Sequence, residues 1–296
     1  MARDASTRST GLSAHYLDPS KAVAFFDIDG TLVWRDFEAL ASGGSAEGVV
    51  GSFGAAPTPA VYDAFRRMTA RGHASFICTG RPLCMIYPSL RELHATGIVA
   101  CAGAYAAVGN EIIRDEHIDP ELVMWVLELF SQTGANVLME SNTHSIELCA
   151  PGVAPLFPGS DATESIAEVA DLAHRAPFAK FCAMGLSQET LDQLRPELEK
   201  FFTICDLQGG VYEFSLKGVD KGTAITAVLE YFGRSDNRIN TYAFGDSEND
   251  LSMAPAVETF VAMGNALPNV QAAADYITDS SADDGVVTGL EHFGVI

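Results

Sequence analysis

The chain has 296 residues and a mass of 31.5 kDa, with 48% hydrophobic and 9% aromatic residues. That is enough to bury a full core and to form more than one domain. Its 39 acidic against 18 basic residues leave a formal charge of −21 and a pI near 4.5, which would repel nucleic acid and anionic membrane, so neither is expected as a partner.

Residues 1 to about 20 are polar, rich in Ser and Thr, and lack the apolar core of a secretory leader. No run approaches the ~18 apolar residues of a membrane span. Six cysteines (78, 84, 101, 149, 182 and 205) form no CxxC pair and no zinc-like cluster. Free buried thiols suit a reducing compartment, so a cytoplasmic location is expected.

Ala22 to Phe26 is a short apolar run, the pattern of a strand buried on both faces in a parallel sheet. It stops at Asp27-Ile28-Asp29-Gly30-Thr31-Leu32. Ligands of open α/β sheets meet the carboxyl ends of strands. Residues two apart on an extended chain face the same side, so Asp27 and Asp29 can converge. Close carboxylates repel unless a cation lies between them, and a hard ion such as Mg2+ suits oxygen ligands. Taken alone, the same stretch also reads as a strand end with an ordinary Asp-Gly turn.

The Gly-, Ala- and Ser-rich stretch 41–59 reads as a surface loop. A helix is predicted from Thr58-Pro59 through Met68. A buried strand over 73–78 then ends at Thr79-Gly80-Arg81, followed by a helix over 83–94 and apolar alternation over 98–108. Alternating strand and helix predicts an α/β sheet in parallel order.

From about Asp115 the texture changes. A helix starts at Asp119-Pro120, β-like runs follow at 136–140 and 145–149, and Asp161 with Glu164 resembles a capping box before a second helix. Strands are expected at 178–184, 201–205 and 211–216, with a helix at 189–200. Over 115–210, 4 Lys/Arg stand against 16 Asp/Glu, a balance of −12. The expected organisation is a core over 1–114 and 211–296, interrupted by an α+β module over 115–210.

Lys221 begins the next helix, and a strand over 240–244 ends at Gly245-Asp246-Ser247-Glu248-Asn249-Asp250. A strand over 257–262 precedes Met263-Gly264-Asn265-Ala266, and the tail through Asp284-Gly285-Val286 finishes the sheet. These segments match what phosphoryl transfer needs: a carboxylate nucleophile, charge neutralisation and a proton for the leaving oxygen. Thr79 with its neighbouring amides can bind phosphate oxygens, and Lys221 supplies a compact positive charge. Asp246 adds a carboxylate for the cation, while Asn249 and Asp250 complete or orient that shell.

Together the four segments resemble the haloacid dehalogenase superfamily, in its Cof-type, class IIB-cap branch. The resemblance covers nearly the whole chain and implies a Rossmann-like α/β core with an inserted cap. It implies Asp27 as nucleophile and Asp29 as general acid/base. Thr79, Gly80 and Lys221 would hold the phosphoryl group, and Asp27, Asp29 (through its backbone carbonyl) and Asp246 would hold Mg2+, supported by Asn249 and Asp250. The expected substrate is a small phosphorylated metabolite, such as a sugar phosphate. A phosphomutase and a non-catalytic binding protein of the same fold are the alternatives. Two departures bear on substrate contacts: Ala102-Gly103-Ala104 stands where the family often has Asn-Gly-Ala, and the segment after the first motif is longer than usual. Of the seven histidines, His144, beside Asn142 and Thr143, is the candidate cap contact to substrate.

Overall fold

The computed structural model describes residues 16–34, 56–157, 160–207 and 209–296. Most of the Gly-rich stretch 41–59 therefore lies outside the described residues. The elements of the first segment are β1 (Val23–Phe26), α1 (Pro59–Ala70), β2 (Ala74–Cys78), α2 (Pro88–Arg91), β3 (Gly97–Ala100), β4 (Tyr105–Val108) and β5 (Glu111–Asp115). Then come α3 (Pro120–Phe130), β6 (Asn136–Glu140), β7 (Ser145–Leu148), β8 (Asp161–Thr163), α4 (Ile166–Arg175), β9 (Lys180–Met184), α5 (Gln188–Leu198), β10 (Phe202–Asp206) and β11 (Val211–Leu216). The chain ends with α6 (Lys221–Tyr231), β12 (Thr241–Gly245), β13 (Thr259–Ala262), α7 (Pro268–Ala273), β14 (Tyr276–Ile277) and α8 (Gly285–His292).

One sheet has eight strands in the order β14-β13-β12-β1-β2-β3-β4-β5. From β14 to β3 every pairing is parallel, and β4 and β5 are antiparallel. The parallel order expected from sequence thus gives way to a mixed sheet at one end. The cause is local: Cys101 and Ala102 both take positive φ, turning the chain back on itself between β3 and β4. β1 is buried throughout, and its Phe25 stacks on Phe76 at 5.1 Å while Phe26 packs on Phe65 and Phe244 at 5.0 Å. Helix α1 buries Val61, Ala64, Phe65 and Met68, the face read from their spacing, and Thr58 caps it by accepting the Val61 N–H. The single helix expected over 83–94 is instead a 3-10 turn at Leu83–Met85 and the short α2, because Pro88 lacks the N–H to continue a helix.

The second sheet has six strands in the order β10-β11-β9-β6-β7-β8, antiparallel except for β7 with β8. Strand β11 (211–216), read from sequence with the strands of the module, pairs with β9 and β10, so the inserted sheet runs past the expected boundary at residue 210. Asp161 lies in β8 and caps nothing; Ser165 accepts the Glu168 N–H at the start of α4. One face of this sheet is apolar. There Phe181 stacks on Phe214 at 4.5 Å, and Phe130 of α3 meets both rings edge-on. The opposite face carries Glu140, Lys180, Cys182 and Glu213, all buried. Among the described residues no helix is long and apolar enough to cross a membrane.

Candidate active site

Three parallel strands, β1, β2 and β12, lie side by side and deliver their carboxyl ends to one place. Asp27 leaves β1, Thr79 leaves β2 and Asp246 leaves β12, and all three are buried. Lys221, the first residue of α6, reaches in between and is 1% exposed. Its ammonium donates to Asp27 Oδ1 and to Asp250 Oδ1, each at 2.6 Å. Asp250 in turn accepts the Asp246 and Ser247 N–H groups on Oδ2, both at 3.0 Å. It thereby fixes the loop that presents Asp246.

Oxygens of Asp27, Asp246 and Asp250 lie within 4.8 Å of one another, a grouping able to hold a cation. Thr31 donates its hydroxyl to Asp246 Oδ1 at 3.2 Å. A side chain on Gly30, which has φ +87°, would meet Asp246 Oδ2 at 2.2 Å, so only glycine lets the β1 turn approach that carboxylate. Burial pushes the Asp27 carboxyl up to about 7; Lys221 opposes the shift, and Asp250 and Asp29 add to it. Burial, then Asp250 and Asp27, also holds Asp246 well above the ordinary carboxylate range. For Lys221 burial works against the charge, but Asp250 and Asp27 outweigh it and hold the ammonium well above its usual value. The centre therefore has more negative charge than Lys221 can neutralise.

Asp29 is less buried than Asp27 and faces Arg81, whose Nε and Nη2 donate to its two oxygens at 2.8 and 2.5 Å. Such a fork-to-fork pair fixes the plane of the carboxylate. Sequence reasoning gave Arg81 no role, although it sits in the same short segment as Thr79 and Gly80. Thr79 accepts the Arg81 N–H on its hydroxyl at 3.1 Å, and its own N–H is spent on Val99 O at 2.9 Å. Two of the amides available to a phosphate in this turn are thus engaged within the protein. Asn249 accepts from Ser247 Oγ at 2.9 Å, and its Nδ2 lies 3.6 Å from where a Cβ on Gly80 would be.

The inserted sheet closes over this mouth through the 141–144 loop. Asn142 Oδ1 accepts the Leu83 N–H at 3.4 Å and the Cys101 thiol at 3.2 Å, and Cys84 donates to Ser141 O at 3.5 Å. Asn142 reaches the core with its side chain. His144 is turned into its own loop, with Nδ1 2.9 Å from Ser141 Oγ and its ring against Phe178.

A mixed α/β sheet with carboxylates and a buried lysine at the ends of its parallel strands, under an inserted second sheet, is an arrangement able to take a phosphate ester. Known proteins agree. The pattern of the haloacid dehalogenase-like hydrolases matches residues 24–290, and the chain belongs to that family. A putative phosphatase of Haemophilus influenzae is 27% identical over 241 residues, 79% of this chain and 90% of its own length. The 5-amino-6-(5-phospho-D-ribitylamino)uracil phosphatase YcsE of Bacillus subtilis is 35% identical over 108 residues, 36% of this chain and 42% of that protein. Among solved structures, the subclass IIB sugar phosphatase BT4131 superposes with a TM-score of 0.75 at 26% identity, over 93% of this chain and all of the other. The chain is a phosphatase of this family.

Proposed function

We propose that the protein hydrolyses a small sugar phosphate with the help of Mg2+, through an aspartyl phosphate (an acyl phosphate) formed on Asp27. The observation that carries this is the carboxylate of Asp27, buried at the end of β1, gripped by Lys221 and grouped with Asp246. The sugar phosphatase BT4131, similar over its whole length, supports a sugar as the leaving group. The donor set fits a divalent ion: buried, closely grouped carboxylate oxygens, whose pKa values burial and their mutual repulsion raise. Asp27 and Asp246 would hold it, with Asp250 anchoring the loop. When bound, the ion would offset charge on the phosphoryl oxygens.

The chain's own residues divide the rest. A carboxylate oxygen of Asp27 forms a bond to phosphorus as the ester P–O bond breaks, and Asp29 gives its proton to the departing alcohol oxygen. Asp29 then takes a proton from the water that attacks phosphorus and frees Asp27. Since Arg81 engages both Asp29 oxygens, one of those bonds has to open as the leaving group arrives. Lys221 and Thr79 neutralise and position the phosphoryl oxygens. A mutase would pass the phosphoryl group to a sugar hydroxyl instead of water. The test is phosphate release from p-nitrophenyl phosphate and hexose phosphates with Mg2+, together with beryllofluoride trapping on Asp27. Release should require both the ion and Asp27, and turnover surviving in Asp27→Asn refutes the reading.

A further inference from the structure

The face of the inserted sheet turned toward the core carries a second buried lysine. In the register of β6 on β9, Glu140 lies opposite Lys180, and in that of β11 on β9, Glu213 lies opposite Cys182. Lys180 Nζ sits 2.6 Å from Glu140 Oε2 and 2.6 Å from Glu213 Oε2, with all three side chains about 5% exposed or less. Its remaining direction points to Cys182 Sγ at 3.9 Å. The ammonium is thus fully engaged and has no donor left for a substrate anion. In these contacts each carboxylate uses Oε2, and Glu140 Oε2 also accepts the Cys182 thiol at 3.5 Å.

The cluster stands beside the phosphate turn. A Cβ on Gly80 would lie 3.3 Å from Glu213 Oε2 and 3.6 Å from Asn249 Nδ2. Glu213 is therefore in van der Waals range of the loop expected to hold the phosphoryl group, and it reaches that loop from the opposite sheet. On the phosphatase reading, the alcohol leaving a phosphate held in that turn would pass beside Glu213.

We propose that Glu140 and Glu213, positioned by Lys180, select the leaving group. They accept hydrogen bonds from a polyhydroxylated alcohol, favour an amine on it and reject one that carries a carboxylate or second phosphate. Two acids and one base leave a net negative charge in a buried place, where a like charge is strongly disfavoured. A site of paired acceptors also discriminates sharply against groups that cannot donate. This rests on the phosphatase reading for the position of the phosphate.

Three hexose phosphates of equal size separate the cases: glucosamine 6-phosphate, glucose 6-phosphate and 6-phosphogluconate. Their affinities are measured by titration calorimetry with Mg2+ on the full chain carrying Asp27→Asn, so that binding is read without turnover. The order should be amine, then neutral sugar, then carboxylate, with at least about tenfold between the first and last. Adding Glu213→Gln or, independently, Glu140→Gln should shrink that ratio at least about threefold. Equal binding of all three overturns the proposal, as does a ratio unchanged in a folded double variant. Failure of the phosphatase reading shows separately, as no phosphate release by the unsubstituted protein.

Discussion

The molecule buries two lysines, each gripped by two carboxylates at 2.6 Å: Lys221 by Asp27 and Asp250, and Lys180 by Glu140 and Glu213. Their surroundings differ. Lys221 starts a helix under the ends of parallel strands, and a third buried carboxylate, Asp246, shares its site. Lys180 lies inside an antiparallel strand, and its third neighbour is the Cys182 thiol. One positive charge against three acids leaves an excess that the proposed Mg2+ would offset. Against two acids it leaves a smaller excess, which hydrogen-bond donors can satisfy. On the readings proposed above, the same pairing serves chemistry in the core and recognition in the inserted module.

The harshest way to break this comparison is Asp27→Asn, which removes the proposed nucleophile and keeps the shape. Turnover of p-nitrophenyl phosphate should fall by at least about 10³-fold, as losing a covalent group does elsewhere. Next come Lys221→Met and Lys180→Met. Each leaves two buried carboxylates without their cation, so each should cost about 3–5 kcal/mol in urea unfolding. Mg2+ should recover stability in Lys221→Met, where Asp27 and Asp246 can share the ion, and not in Lys180→Met. Equal recovery in both would show that the two sites do not differ in the way described.

A milder perturbation is pH. Burial pushes the Asp27 carboxyl from its ordinary 3.8 up to about 7 in the folded chain, so the folded state holds this proton more tightly. Its contribution to stability is complete below about pH 3.8 and is lost as pH rises through about 7. Metal-free protein should lose stability across that window. Mg2+ needs the ionised carboxylates, so its stabilisation should grow over the same range, reaching ~2.7 kcal/mol at a hundredfold excess over Kd. Calorimetric melting at pH 5 and pH 8 checks this, and Asp246→Asn should abolish the Mg2+ effect. A Mg2+ shift independent of pH would count against the carboxylates as its ligands.

These two sites were unequally legible in the sequence. Asp27, Thr79 and Asp246 each follow an apolar strand, and parallel strands bring such ends together, so local pattern was enough to group them. Lys221 stood out because a cation at a helix start is mismatched to the helix dipole. Glu140, Lys180 and Glu213 lie on separate strands, and each reads as an ordinary strand residue. Only the antiparallel register of β6, β9 and β11 joins them. The same long-range choice drew β11 into the inserted sheet. Arg81 was visible as a residue, but its partner Asp29 was settled by the packing of β1 beside β2.

The smallest expected effect tests whether the lysine in the core depends on its helix. Asp220 caps α6 by accepting the Thr223 N–H at 2.7 Å, and its own N–H goes to Thr223 Oγ1 at 3.1 Å. In the inserted module Ser187 caps α5 in the same manner, accepting the Thr190 N–H at 3.1 Å. Asp220→Ala and Ser187→Ala should each cost about 1 kcal/mol, the usual worth of a helix N-cap. Their effects on turnover should part. Lys221 follows Asp220 directly, so a frayed first turn moves the ammonium that holds Asp27, and displacements well under 1 Å are enough to lower turnover about tenfold. Ser187 begins a helix that carries no member of either lysine cluster. If both variants slow p-nitrophenyl phosphate release equally at matched stability, the position of Lys221 owes nothing to its cap, and the contrast between a helix-borne and a strand-borne lysine loses its mechanical basis.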